Sequence, residues 1–163
     1  MSITGLLQDI IPTYGNYGGP DYSGGDFVLP GQQPDYSVPP IDDLDKLFLK
    51  HDIGSGAPTS AERADADLAL IEGIQGLDAS TLTPEGHLWA GAAILAMVAD
   101  ITVRQGHPEK LPPNEALDFS GDALQLIAQS GVDPFSPYAA AVEKSLEQAW
   151  SWTSHLSPFD GMF

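Results

Sequence analysis

Asp42-Asp43-Leu44-Asp45-Lys46-Leu47-Phe48-Leu49-Lys50-His51-Asp52-Ile53 is the stretch on which the reading of this chain turns. Ile41, Leu44, Leu47 and Phe48 recur at the spacing of one helix face, and Gly54 and Gly56 supply the stop, so the spacing predicts a helix from Asp42 to Ile53. Asp42 and Asp43 are acids at its N-terminus, where capping and the helix dipole favour them. His51 and Asp52 continue the apolar stripe, which sets two ionisable groups against the interior.

Further helices follow on the C-terminal side. Thr59-Ser60-Ala61-Glu62 has the spacing of a capping box, and Leu70, Ile71, Ile74 and Leu77 run along one face behind it, with Asp67 on that same face. Thr83-Pro84 opens a third helix ending near Gly106, whose Ala/Gly-rich middle suits a central, closely packed element. A fourth is expected over Asn114 to Ser130 and a fifth over Ser136 to Ser154, with a short one over Ile3 to Ile11 ended by Pro12. No stretch reads as a strand. Residues 12–40, crowded with Gly, Pro, Asp and Tyr, read as a long loop with work to do. The fold class expected is all-α: two antiparallel helices behind a Gly-rich loop, with additional C-terminal helices.

Composition narrows the function. The 163 residues fit one domain, 1–163. Six Lys plus Arg against 23 Asp plus Glu give a net charge of −17, which repels nucleic acid and anionic headgroups and suits divalent cations. Cysteine is absent, so neither disulfides nor a thiolate metal site hold the fold. The start of the chain lacks the pattern of a signal peptide, and Asp100 interrupts the most apolar run, Leu88 to Val103. The expectation is a chain that does not span a membrane and is cytoplasmic by default, with export by another route left open.

The chemistry gathers at His51. Two helices joined by a short loop pack roughly 8–10 Å apart, close enough for His51 to meet a carboxylate of the second helix. Asp65 is within reach, but Asp67 shares the face of Leu70, Ile71 and Ile74 and is preferred. An imidazole held by a carboxylate is a general base with its orienting group. With no Gly-x-Ser-x-Gly elbow and no His-Glu-x-x-His helix, water is the expected nucleophile. The loop Tyr14-Gly15-Asn16-Tyr17-Gly18-Gly19-Pro20-Asp21-Tyr22-Ser23-Gly24-Gly25 lets backbone carbonyls converge, and carbonyls with one carboxylate suit calcium, although EF-hand spacing is absent.

Three blocks, in order, then resemble the secreted phospholipase A2 superfamily, and within it the cysteine-poor branch of parvovirus capsid domains and microbial enzymes. Tyr17-Gly18-Gly19-Pro20-Asp21 looks like the calcium loop, Asp45 through Asp52 like the active-site helix, and Ala66-Asp67 like the motif of the second helix. Leu47 and Phe48 stand where disulfide-rich members carry paired cysteines. The likeness covers residues 12–77, a catalytic core, and leaves 81–163 as a C-terminal helical extension packed on it.

The resemblance implies a calcium-dependent phospholipase A2 that cleaves the sn-2 ester of glycerophospholipids at a membrane or micelle surface. His51 and Asp67 would be catalytic, with Asp52 and the carbonyls of Tyr17, Gly19 and Asp21 holding Ca2+ and the Gly19 amide a candidate oxyanion donor. Asp21 stands where the family has glycine and the Gly24-Gly25 pair comes late, which leaves a carbonyl further along the loop as the alternative third ligand; Ser55 stands where disulfide-rich relatives have a tyrosine supporting the aspartate, so that support must differ. The rivals are a non-catalytic, calcium-dependent lipid- or protein-binding module on the same scaffold, and a structural helical domain. His87, His107 and His155 have no acids at zinc-ligand spacing and read as structural or exposed. Trp150, Trp152, Phe159 and Phe163 read as core packing or an interfacial anchor, the former preferred.

Overall fold

The computed structural model describes residues 11–133, 135–142 and 144 of the chain. It is mostly helical: after a loop and a small hairpin come α1 (Asp43–Ser55), α2 (Ser60–Gln75), α3 (Pro84–Ala99) and α4 (Pro113–Gln129), with residues 137–142 helical again. The short N-terminal helix, most of the expected fifth helix and the four C-terminal aromatic residues lie outside the described residues.

The helix starts follow their caps. Asp42 accepts the Asp45 amide at 2.8 Å. Thr59 and Glu62 form the full reciprocal capping box, and Thr83 caps the Gly86 amide at 3.0 Å ahead of Pro84. Each satisfies donors that a helix N-terminus leaves open. Gly106 and Gly131 mark stops at φ +69° and +66°, whereas Gly54, expected as a stop, lies inside α1, which runs on to Ser55 and is capped by Gly56 at φ −78°.

α3 forms the middle of the core. Its Leu88, Trp89, Ala90, Ala93 and Ile94 are buried with Leu70, Ile71 and Ile74 of α2 and Leu44 and Phe48 of α1. Each large aliphatic or aromatic side chain removed from water contributes about 1.5–3 kcal/mol. Small residues set the helix spacings. A Cβ on Gly91 would lie 2.5 Å from the carbonyl oxygen of Ala123, so only glycine lets α4 come this close. Where α1 meets α2, a Cβ on Gly54 would lie 2.7 Å from the Cβ of Ala66.

Three features differ from the sequence reading. The loop contains a hairpin of β1 (Tyr22–Ser23) and β2 (Asp26–Phe27), pairing Tyr22 with Phe27 and Ser23 with Asp26. Its two turn residues, Gly24 and Gly25, both have positive φ, which matches the twist of a tight hairpin. Ile41 precedes the helix and is exposed rather than part of the buried stripe. Finally, α3 widens at its end into a π-helical turn, Asp100–Arg104. By length and composition the run Pro84–Arg104 is able to cross a membrane despite Asp100, but most of it is buried inside this fold as a core helix.

Candidate functional site

His51 lies in the last half of α1, and Asp67 on α2 faces it across the Gly54–Ala66 contact. His51 Nε2 and Asp67 Oδ1 are 2.7 Å apart, with Asp67 only 2% exposed. Asp65, two residues earlier, points outward and pairs with Lys110 at 2.5 Å. The geometry therefore joins His51 to Asp67 and not to Asp65, for the reason helical periodicity gives: Asp67 shares the buried face of Leu70, Ile71 and Ile74.

The second oxygen of Asp67 accepts a hydrogen bond from Nε2 of Gln105 at 2.6 Å. That nitrogen also donates to Asp100 Oδ2 at 2.7 Å, and Asp100 forms an ion pair with Arg104. The contact to Asp67 that Ser55 was not expected to make comes from the end of α3, while Ser55 bonds locally to the Asp52 carbonyl at 2.9 Å. Burial works against a charged His51, but the hydrogen bond and charge of Asp67, with Asp52 and Asp100 nearby, outweigh it and raise the imidazole above its usual value. Burial raises Asp67 as well, opposed by His51.

The loop is fixed to α1 by a residue whose role the sequence reading did not isolate. Asp45, wholly buried, accepts the amides of Asn16 at 2.9 and 3.1 Å, Tyr17 at 2.9 Å and Ile41 at 2.9 Å. A Cβ on Gly15 would lie 2.4 Å from the Asp45 carboxyl carbon, so glycine permits the approach. Paired Tyr14–Gly18 backbone bonds of 2.7 and 2.8 Å close the turn. Asp21 adopts φ +49°, a left-handed conformation that aspartate tolerates better than most residues and that suits the glycine of the family pattern.

One cavity of about 280 Å³ is lined by Tyr17, Gly19, Asp21, His51, Asp52 and Asp67 together. Its apolar side is formed by Phe48, Leu70, Trp89, Ala93 and Met97. Asp52 contributes a buried Oδ2 with no hydrogen-bond partner, and the buried Ser23 hydroxyl lies beside the carboxyl. Burial pushes the Asp52 carboxyl up to about 7, against the pull of His51 and Ser23. Among the described residues no three His, Cys, Asp or Glu side chains cluster as metal ligands. Any cation here would instead need one carboxylate and backbone carbonyls, a donor set that suits hard calcium. An uncompensated buried carboxylate oxygen beside a loop of carbonyl-bearing residues fits that group.

Asp45, Asp100 and Gln105 were not marked as site residues by sequence. The available signal was Asp100, a carboxylate inside an apolar helix, which is costly to bury without partners. His107 bonds Ser60 Oγ at 2.9 Å and Glu109 at 2.8 Å, and His87 bonds the Thr83 carbonyl at 2.9 Å, so both have local partners. Comparison of the chain with protein-family models, curated proteins and solved structures finds no match.

Proposed function

We propose that the protein is a calcium-dependent phospholipase A2, hydrolysing the sn-2 acyl ester of glycerophospholipids to a lysophospholipid and a fatty acid. The observation that carries the reading is the buried His51–Asp67 pair opening on the same cavity as Asp52 and the Tyr17–Asp21 loop.

In this reading Asp67 holds the His51 ring through Nε2, which leaves Nδ1 to take a proton from water. The ring then carries the positive charge that Asp67 stabilises, and returns the proton to the leaving alkoxide. Asp67 itself stays ionised throughout. Asp52 and the carbonyls of Tyr17, Gly19 and Asp21 are the residues that would hold calcium, although the Asp21 carbonyl already accepts the Val28 amide at 2.7 Å. Calcium bound there supplies a Lewis acid for the ester carbonyl and a counter-charge for the phosphate. The Gly19 amide is the protein's own candidate donor to the oxyanion. Phe48, Leu70, Trp89, Ala93 and Met97 offer apolar surface for an acyl chain. Residues 12–77 form the catalytic core on this reading, with two antiparallel active-site helices behind a calcium loop, and 81–163 the extension that packs on it.

The test is release of fatty acid from phosphatidylcholine vesicles with calcium or with chelator, for wild type and His51→Ala. We expect calcium-dependent release, reduced at least about a hundredfold in the variant, as befits loss of a general base. Calcium-dependent vesicle binding without release would replace hydrolysis with a binding function.

A further inference from the structure

We infer that Gln105 is a positioning residue for the His51–Asp67 pair: its side-chain amide, held in place by Asp100, fixes the Asp67 carboxylate with Oδ1 toward the imidazole. The consequence for turnover rests on the hydrolytic reading above; the consequence for the ring rests on geometry alone.

Asp67 divides its two oxygens, Oδ1 to His51 at 2.7 Å and Oδ2 to Gln105 at 2.6 Å. A carboxylate held at both oxygens cannot turn about its Cβ–Cγ bond, so the oxygen facing Nε2 is defined. The Gln105 amide is defined in turn. An amide nitrogen carries two hydrogens, and here one meets Asp67 and the other Asp100 Oδ2 at 2.7 Å. Turned over, the amide would set its oxygen against two carboxyl groups and lose both donations. Oε1 instead points away, buried and without a partner, so the residue gives up its acceptor to keep both donors in place.

Asp100 is steadied by its ion pair with Arg104, so a continuous chain runs from the ring to the protein surface: His51, Asp67, Gln105, Asp100, Arg104. The last three belong to the wide turn that ends α3, whose closing bond joins the Gln105 amide to the Asp100 carbonyl at 2.8 Å. Single π turns often occur at functional positions, and this one carries both the donor and the residue that orients it. The C-terminal extension therefore does more than cover the first two helices. It supplies the contact that holds in place the carboxylate on which His51 Nε2 rests.

Gln105→Met removes both donors at similar volume. With calcium and phosphatidylcholine vesicles, kcat should fall roughly tenfold to a hundredfold, while KM and the calcium dissociation constant stay within about twofold, because Gln105 lies outside the candidate ligand set. Nitrogen NMR of the ring at alkaline pH should show the Nε2–H tautomer in wild type and a mixture in the variant. A purely structural role would lower the unfolding midpoint and leave the tautomer untouched, and that result would overturn the inference whatever the activity. If Gln105→Met does not fold, the wild-type side-chain amide decides: two resolved, slowly exchanging protons support the clamp, and a rapidly exchanging pair refutes it. Absence of hydrolysis by wild type would remove the phospholipase reading, while the tautomer and amide signals would still decide the positioning role.

Discussion

Asp45 and Asp52 stand two turns apart on α1, on the side that meets the loop, and they have opposite surroundings. The Asp45 carboxylate is wholly buried and meets backbone amides from Asn16, Tyr17 and Ile41. One oxygen of the Asp52 carboxyl, Oδ2, is buried with no hydrogen-bond partner, and His51 and the Ser23 hydroxyl offset only part of the cost of its burial. A carboxylate that accepts several amides is paid for within the fold and anchors the chain around it. One buried without donors weakens the fold until something positive arrives. The same helix thus carries an acid satisfied by the loop's amides at one end and an acid with an unpartnered buried oxygen at the cavity, and the contrast separates scaffold from candidate site without reference to any relative.

The sharpest way to break that contrast is Asp45→Ala. It leaves buried amides without an acceptor and should cost about 3–5 kcal/mol in urea unfolding, with no recovery on adding calcium. A loss under about 1 kcal/mol would mean the loop does not depend on Asp45.

Asp52→Asn should act in the other direction. The folded-state carboxyl titrates at about 7 against an ordinary 3.8, so the folded protein holds an extra proton between those values. Stability of the calcium-free protein from this group is therefore full below about pH 4 and falls as pH rises toward 7. His51 adds to the same trend, because its raised folded value gives stability that is present below about 6.5 and lost as pH rises past that folded value. In chelator at pH 8, Asp52→Asn should unfold at or above the wild-type midpoint and lose the upward shift that calcium gives wild type by mass action. Thermal unfolding with and without calcium measures both, and an undiminished calcium shift in the variant would remove Asp52 from the ligand set.

The smallest effect concerns the contact that brings the two helices together. Gly54→Ala adds a methyl that would lie 2.7 Å from the Ala66 Cβ, so the overpacking must exceed the helix-propensity gain of about 1 kcal/mol to destabilise. We expect a net loss near 1 kcal/mol, recovered in the double variant with Ala66→Gly. Additive effects across the four proteins would show that the crossing is not set by this pair.

Much of this was legible from the sequence, for local reasons. Asp42, the Thr59–Glu62 box and Thr83-Pro84 announce the helix starts through hydrogen bonds within a few residues. His51 and Asp67 were legible because a helix repeats its faces, which also separated Asp67 from Asp65. The Gly24-Gly25 hairpin had a readable turn signal, but its strands are too short to show alternation. Gln105 lies 38 residues beyond Asp67, and no periodicity or cap relates the two. Asp100 looked only like an interruption of an apolar helix until the partners on its far side were known. The resemblance to secreted phospholipases named the position where support for the aspartate is missing, and the fold supplies that support from a segment outside the matching blocks.

The contact of Gly54 with Ala66 has one more consequence. Where paired cysteines join such helices, assembly consumes an oxidant and must find the right partners among several thiols. Here the crossing is made by a close approach of small residues, in a chain without cysteine. Bringing His51 to Asp67 therefore passes no electrons to an oxidant in the surroundings. Reducing and oxidising buffers should yield the same geometry, and folding has no covalent pairing to get wrong.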